Sequence, residues 1–422
     1  MTAGGPTTGG GLPSAADDRL DLRVGAVAHG GHCVARAPDG RVVFVRHALP
    51  GERVLAEVTE ERRGYLRADA VEILDAAPHR VTPPCPHAGP PGVNPDGTTR
   101  GCGGCDWQHV TPDRQRRLKA DVVREQLVRL GGLGEAEVDA LAVRVDALPG
   151  GPLGWRSRVR YAVDAAGRAG LLAHRSHEVV PITRCRIAVP AIAALDVTGT
   201  TWSDADHVAT VASSAGDVAV LAEATGRPPR VVSGPAEVRE HAANREWTLP
   251  ADAFWQVHPA APDTFVAAVL DLLAPRQGES AWDLYGGAGL FAAALAERVG
   301  TGGSVTLVEA DRAAVAAARR NLADLPQVRI IRAPVERARL TGRPDLVVLD
   351  PPRTGAGTRV VRMLADRAAR AVGYVACDPA ALARDVATFR SLGWRLAALR
   401  AFDAFPMTHH VECVALLLPD AG

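Results

Sequence analysis

Five positions carry side chains that could do chemistry, and each stands where a short apolar run ends. Cys377 follows AVGYVA and precedes Asp378-Pro379 and an Ala-rich segment. Its sulfur therefore lies near a helix N-terminus, which favours the reactive thiolate. Asp350 follows LVVL and is succeeded by Pro351-Pro352-Arg353. An ionisable group at the carboxyl end of a parallel strand faces the ligand crevice, and two prolines stiffen the turn behind it. Glu412 interrupts an otherwise apolar segment near the C-terminus, where burial would raise its pKa towards base duty. The run Asp283-Leu284-Tyr285-Gly286-Gly287-Ala288-Gly289 is a Gly-rich turn that lets backbone approach a ligand closely. Glu309 closes the next apolar run and is placed to accept hydrogen bonds from ribose hydroxyls. A nucleoside-bearing cofactor follows, and the spacing Asp283-x-x-x-Gly287-x-Gly289 fits S-adenosylmethionine better than a dinucleotide.

A methyl donor, a thiolate and a carboxylate base suit one reaction. Carbon 5 of uracil is a poor nucleophile until a thiolate adds at C6 and makes C5 enolate-like. The enolate takes the methyl group, a base removes the C5 proton, and elimination frees the cysteine.

The elements that must position these groups are legible in the patterning. Residues 1–19 hold Gly, Pro, Thr and Ser without periodicity and read as a disordered tail. Residues 20–77 give five short strands separated by turn signals such as Pro38-Asp39-Gly40, which predicts an OB-fold-like barrel. Residues 78–250 form a mixed α/β central segment. It begins with a Pro/Gly/Cys-rich stretch and continues with a helix over 111–132, opened by Thr111-Pro112 and closed by Gly-Gly. Alternating strands follow, one of them placing Arg156, Arg158 and Arg160 on one face. From 251 to 422 apolar strands alternate with Ala-rich helices over 289–299, 311–324, 357–370 and 379–392, which means a doubly wound parallel α/β sheet.

Composition bounds the reading further. The chain has 422 residues with 48 basic and 48 acidic side chains, and every basic one except Lys119 is arginine. No apolar run is long enough for a membrane helix, so no membrane is expected. Seven cysteines without a signal-like N-terminus argue against a disulfide framework and for a reducing cytoplasm. Cys85, Cys102, Cys105 and Cys185 form a second constellation, with Cys102-Gly103-Gly104-Cys105 a chelating pair on a tight turn. Four thiolates suit zinc or an iron–sulfur cluster equally. Cys33 and Cys413 are read as structural.

Together these motifs resemble the bacterial RNA 5-methyluridine (uracil-C5) methyltransferases, in the branch with a TRAM domain and an iron–sulfur cluster. The resemblance runs from about residue 20 onwards. It rests on FWQVHP at 254–259, DLYGGAGLF, LDPPR, VACDPAALARD and MTHHVE. It implies a class I (Rossmann-like) methyltransferase domain at the C-terminus and a TRAM barrel at the N-terminus. It implies Cys377 as nucleophile, Glu412 as general base, and Gln256, Tyr285, Gly287, Glu309 and Asp350 at the cofactor and uracil site. It implies a [4Fe-4S] cluster on Cys85, Cys102, Cys105 and Cys185. The partner is structured RNA, with 23S ribosomal RNA favoured over transfer RNA, and no protein partner is implied. The target base must flip out of its stack, with Phe254 placed to stack on it and Arg156 among the groups that supply positive charge.

Four departures stand out. The family's Cys-Gly is here Gly286-Gly287, a frequent Asn is Leu290, the residue after the cysteine is Asp378 rather than Asn, and the 16 residues between Cys85 and Cys102 exceed the family's gap. Asp378 puts a negative charge beside the thiolate and is expected to point away or pair with an arginine. Loop closure costs grow slowly with length, so the longer gap is tolerable. The competing readings are an iron–sulfur RNA-binding or chaperone protein with an inactive methyltransferase domain, and methyl transfer to protein or small molecules. Intact Cys377 and Glu412 weigh against the first, and the barrel against the second.

Overall fold

A computed structural model describes residues 19–367 and 369–420. The tail expected over 1–19 lies outside them except for Arg19, which opens the first strand. The chain divides into a unit ending at Arg80 and a unit from Val81 to Gly422. The central and C-terminal segments, expected as separate domains, thus lie in one unit.

In the first unit five strands, Arg19–Arg23, Cys33–Arg36, Val42–Arg46, Arg53–Glu61 and Tyr65–Asp75, form one sheet in the order first, fourth, fifth, third, second. Alternation decides which face is inside: Val43 and Val45 are buried, while Val42, Phe44 and Arg46 are half-exposed. Register shifts along the two longest strands bend them, as a small barrel requires. Buried Glu52 is fully satisfied. It accepts from the Arg80 guanidinium and from the amides of Leu49 and Ala77.

The first helix of the second unit, Pro112–Arg129, has proline in its first turn. A six-stranded antiparallel sheet follows, in the spatial order Val179–Pro181, Ala169–Leu172, Arg158–Val163, His207–Ala212, Val218–Glu223 and Arg230–Ser233. A hairpin of Glu237–Ala242 and Arg245–Pro250 leads into the C-terminal region.

That region is an eight-stranded sheet, in the order Val328–Arg332, Ser304–Glu309, Ser280–Leu284, Leu346–Leu349, Ala371–Ala376, Glu412–Pro419, Trp394–Asp403 and Val145–Ala147. The middle strands Leu346–Leu349 and Ala371–Ala376 are buried along their whole length. Helices cover both faces, which is why these strands read as continuous apolar runs. One apolar layer gathers Phe265, Phe291 and Leu295, the other Val360, Leu382 and Phe389 with Leu127 of the Pro112–Arg129 helix. The order reverses between Ser280–Leu284 and Leu346–Leu349, the switch point at which such sheets bind ligands. The helices expected over 311–324 and 357–370 are shorter, Arg312–Asn321 and Gly357–Arg367. Val145–Ala147, from the central segment, adds a parallel strand beyond Trp394–Asp403. Among the described residues no helix is long and apolar enough to cross a membrane.

Candidate active site

Antiparallel pairing explains how a cysteine and a glutamate 35 residues apart come together. Glu412–Pro419 runs antiparallel to Ala371–Ala376, with Ala376 opposite Cys413. Glu412, one residue earlier, therefore lies level with Cys377, one residue later. Parallel pairing of Leu346–Leu349 with Ala371–Ala376 brings Asp350 to the same sheet edge. The three groups feel one another. Burial pushes the Cys377 thiol up to about 12, the Glu412 and Asp350 charges add to this, and the exposed Arg353 guanidinium opposes it. Glu412, 3% exposed, is raised well above the usual carboxylate range by burial and then by Asp350, again against Arg353. Burial alone pushes Asp350 up to about 7.

The thiolate expected from the helix N-terminus is therefore not the resting form. Desolvation and the Glu412, Asp350 and Asp378 carboxyl groups outweigh the helix dipole, which is worth about 1 kcal/mol at most exposed sites. Asp378, expected to point away or pair with an arginine, still pushes the thiol up through its charge. It caps the helix Pro379–Arg390 by accepting from Ala381 N at 2.7 Å.

Across the switch point the Gly-rich turn is shaped by close approaches. A Cβ at Gly286 would come within 2.6 Å of Leu307, and one at Gly289 within 2.6 Å of Leu322. A Cβ at Gly287, at φ +52°, would meet nothing, so this turn faces open space. Tyr285 holds the left-handed region at φ 64°, strain that a non-glycine residue accepts where the surrounding structure imposes it. Glu309 accepts from Gly287 N at 3.0 Å and from Asp311 N at 2.7 Å. Its carboxylate thus braces the turn and keeps lone pairs for ribose hydroxyls. Asp283, fully buried, accepts from Ala292 N and is pushed up to about 7, first by burial and then by Asp350 and Glu309. The turn and the Glu309 carboxylate fit an adenosine-bearing methyl donor, and Gln256 is half-buried.

Phe254 is 78% exposed, while its neighbour Trp255 is buried against Trp247. The arginine face is different from the one expected. Arg158 forms a buried pair with Glu240, and the exposed Arg160 pairs with Glu223 at the surface, so both charges are matched within the protein. The strand begins only at Arg158. Arg156 donates to Arg158 O, and its charge bears on Cys102.

The four cysteines of the second constellation converge. Cys85, Cys102 and Cys105 each have their thiol raised, first by burial and then by the other cysteines, Cys185 included. The insertion after Cys85 is a small hairpin, Gly92–Val93 with Thr99–Arg100. Its ends are drawn together by His87 O, which accepts from Gly101 N and Cys102 N. The His87 ring also bonds Thr183, two residues before Cys185. Gly103 packs so tightly that a Cβ would lie 2.6 Å from His174 N. The donor set is thus four thiols in one desolvated pocket, the kind that suits a thiolate-bound group. Ligating geometry is a different matter: among the described residues no group of three or more His, Cys, Asp or Glu side chains is arranged to hold a metal ion. Neutral thiols have no mutual attraction that would draw the sulfurs together.

Three features escaped the sequence reading. Arg353 was visible in LDPPR, but its electrostatic reach to Cys377 and Glu412 was not. Asp385 accepts from Ala356 N, Gly357 N and Tyr374 OH, fastening the turn after Asp350 to the helix that follows Cys377. The segment 403–411 is held from the Pro112–Arg129 helix: fully buried Lys119 pairs with Asp403 and donates to Phe405 O. Burial lowers the Lys119 pKa and Asp403 raises it.

Comparisons with known proteins bear on the family and the fold. Family models match residues 18–71 (TRAM domain), 260–373 (methyltransferase small domain) and 343–419 (tRNA (Uracil-5-)-methyltransferase). An uncharacterized RNA methyltransferase of Streptomyces avermitilis is 49% identical, over 96% of this chain and 99% of its own. The Chromohalobacter salexigens protein named 23S rRNA (uracil(1939)-C(5))-methyltransferase RlmD is 31% identical, over 94% of this chain and 89% of its own. The crystal structure of a Pyrococcus abyssi tRNA (uracil-54, C5)-methyltransferase with S-adenosyl-L-homocysteine matches with a TM-score of 0.70. It is 21% identical and covers 96% of this chain and all of that one, a likeness of fold.

Proposed function

The chain belongs to the RNA uracil-C5 methyltransferases, and on that premise we propose that it methylates a uridine of 23S ribosomal RNA through a covalent bond between Cys377 and C6. The observation that carries the chemistry is the register that sets Glu412 beside Cys377 at the ligand crevice. The choice of RNA is supported by the full-length relationship to the Chromohalobacter enzyme.

S-adenosylmethionine, held by Gln256, Tyr285, the Gly287 turn and Glu309, supplies the methyl group when bound. Phe254 stacks on the flipped base or its neighbour, and Arg156 adds positive charge towards RNA. Asp350, near half-neutral at pH 7, offers a carboxyl that donates to a uracil carbonyl or accepts from the ring N–H. Cys377 gives its proton to solvent, the thiolate sulfur bonds C6, and the C5–C6 electron pair moves onto the uracil carbonyl. After methylation Glu412 takes the C5 proton. The S–C6 bond then breaks, C5=C6 re-forms and the sulfur is released.

Mapping 5-methyluridine tests the substrate. A strain lacking this protein is expected to lose one such residue from 23S RNA and none from transfer RNA, and purified protein with labelled S-adenosylmethionine should restore it. Loss from transfer RNA instead would move the substrate there.

The same reading includes a [4Fe-4S] cluster on Cys85, Cys102, Cys105 and Cys185; what supports it is that the buried Cys102 and Cys105 thiols both feel the charges of Cys85 and Cys185. Protein purified without oxygen should be brown, with iron and sulfide each at about four per chain. A colourless protein carrying one zinc would overturn the assignment.

A further inference from the structure

The residues after Cys105 reach directly into the loop that delivers Glu412. Asp106 accepts from the His409 ring, Nδ1 to Oδ2 at 2.6 Å, and from His409 N at 3.3 Å. Both partners are largely buried. Trp107 N donates to Met407 O at 3.0 Å. Gln115 bridges the two segments: its amide donates to Trp107 O and Val110 O, and its carbonyl accepts from Met407 N at 2.9 Å. Met407 is held at φ 68°, a conformation a methionine adopts only under such constraint. Inside the loop the Thr408 hydroxyl donates to Phe405 O and accepts from His410 N. The His409 and His410 rings lie 4.1 Å apart, and His410 meets Phe405 edge-on. Two residues later the chain enters the strand at Glu412.

The loop is thus specified from outside. Its own contacts are three local hydrogen bonds and two ring contacts, whereas the bonds that fix its height and rotation come from residues 106–119, some 300 positions away. We propose that Asp106 is a positioning residue for Glu412: by holding His409 it sets the loop that aims the carboxylate at C5, and so couples the cysteine turn to the proton-removal step. The proposal rests on the assignment of Glu412 as the base.

The test uses the whole protein, purified without oxygen, with Asp106→Ala and Asp106→Asn. Readouts are multiple-turnover methylation of 23S RNA for kcat, single-turnover methyl transfer from labelled S-adenosylmethionine, denaturation-resistant protein–RNA adduct, affinity for RNA and for S-adenosylmethionine, and iron per chain. Asp106→Ala is expected to lower kcat about 10–100-fold, the scale of misplacing a reacting group by about 1 Å. Adduct should accumulate, with both affinities and the iron content unchanged. Asn keeps an acceptor for the His409 N–H groups and should recover most of the rate. Unchanged kcat in Asp106→Ala would overturn the proposal. So would a loss of iron or of binding in proportion to kcat, because the residue would then only fold the cysteine segment. If unsubstituted protein forms no adduct with 5-fluorouridine RNA, the covalent reading fails instead.

Discussion

Cys377→Ala should lower methylation of uracil by about 10⁴–10⁶-fold, the loss seen when a nucleophile that works with its base as one unit is removed. Its site explains the size of the effect. Without a sulfur at C6, C5 has no enolate character. The fold should be indifferent: Cys377 is only half-buried, just beyond the strand Ala371–Ala376 and before the capped helix Pro379–Arg390. Affinity for S-adenosylmethionine should therefore stay within about twofold, since the Gly287 turn and Glu309 lie on other strands. The unsubstituted protein should in turn form a permanent adduct with 5-fluorouridine RNA, because fluorine cannot leave C5 as a proton. Methylation surviving the alanine change would show that no covalent bond through this residue is needed.

Glu412→Gln should divide the reaction in two. Glutamine keeps the shape and removes the buried charge that burial and Asp350 already disfavour, so the fold should hold. Addition of Cys377 and methyl transfer need no base at C5, and both should proceed for one turnover. Elimination should slow by about 10²–10⁴-fold, the worth of a positioned general base. The variant should remain bound to its methylated RNA on a denaturing gel and carry labelled methyl. The pH profile provides a second check. Because the Glu412 pKa is raised, its base form is gained as pH rises above the ordinary carboxylate range, so elimination by the unsubstituted protein should speed up with pH. The glutamine variant should lack that rise. Normal turnover by Glu412→Gln would pass the role to another group. His410 is poorly suited, its pKa pushed down to about 3 by burial, His409 and Arg353, and His409 is tied to Asp106.

What the sequence disclosed was local. Apolar runs ending in Asp283, Glu309, Asp350 and Cys377 marked strand ends, and a strand end in a doubly wound sheet is already an address. The lone carboxylate of Glu412 was visible for a similar reason, as a polar break in an apolar segment. What stayed hidden depends on partners far along the chain. The arginines at 158 and 160 looked like a free basic face because Glu240 and Glu223 are 82 and 63 residues away. Val145–Ala147 gave no sign that it would extend a sheet built more than 100 residues later. The helix position of Cys377 can be read from spacing, whereas the burial and the three nearby carboxyl groups that push its thiol up cannot. The cysteine turn was legible as a chelating motif, but its bond to His409 crosses 303 positions.

Burial of Lys119 has a practical side. It is the chain's only lysine, it is fully enclosed, and it holds Asp403 and Phe405 at the root of the loop that leads to Glu412. Acylating reagents that seek out ε-amines thus find no side chain to attack while this region stays closed. Each opening of the loop's root would expose one amine, and covalent tagging would record it. The protein therefore carries a built-in, single-site clock for the breathing of its own catalytic segment, readable by mass alone and without introducing a probe.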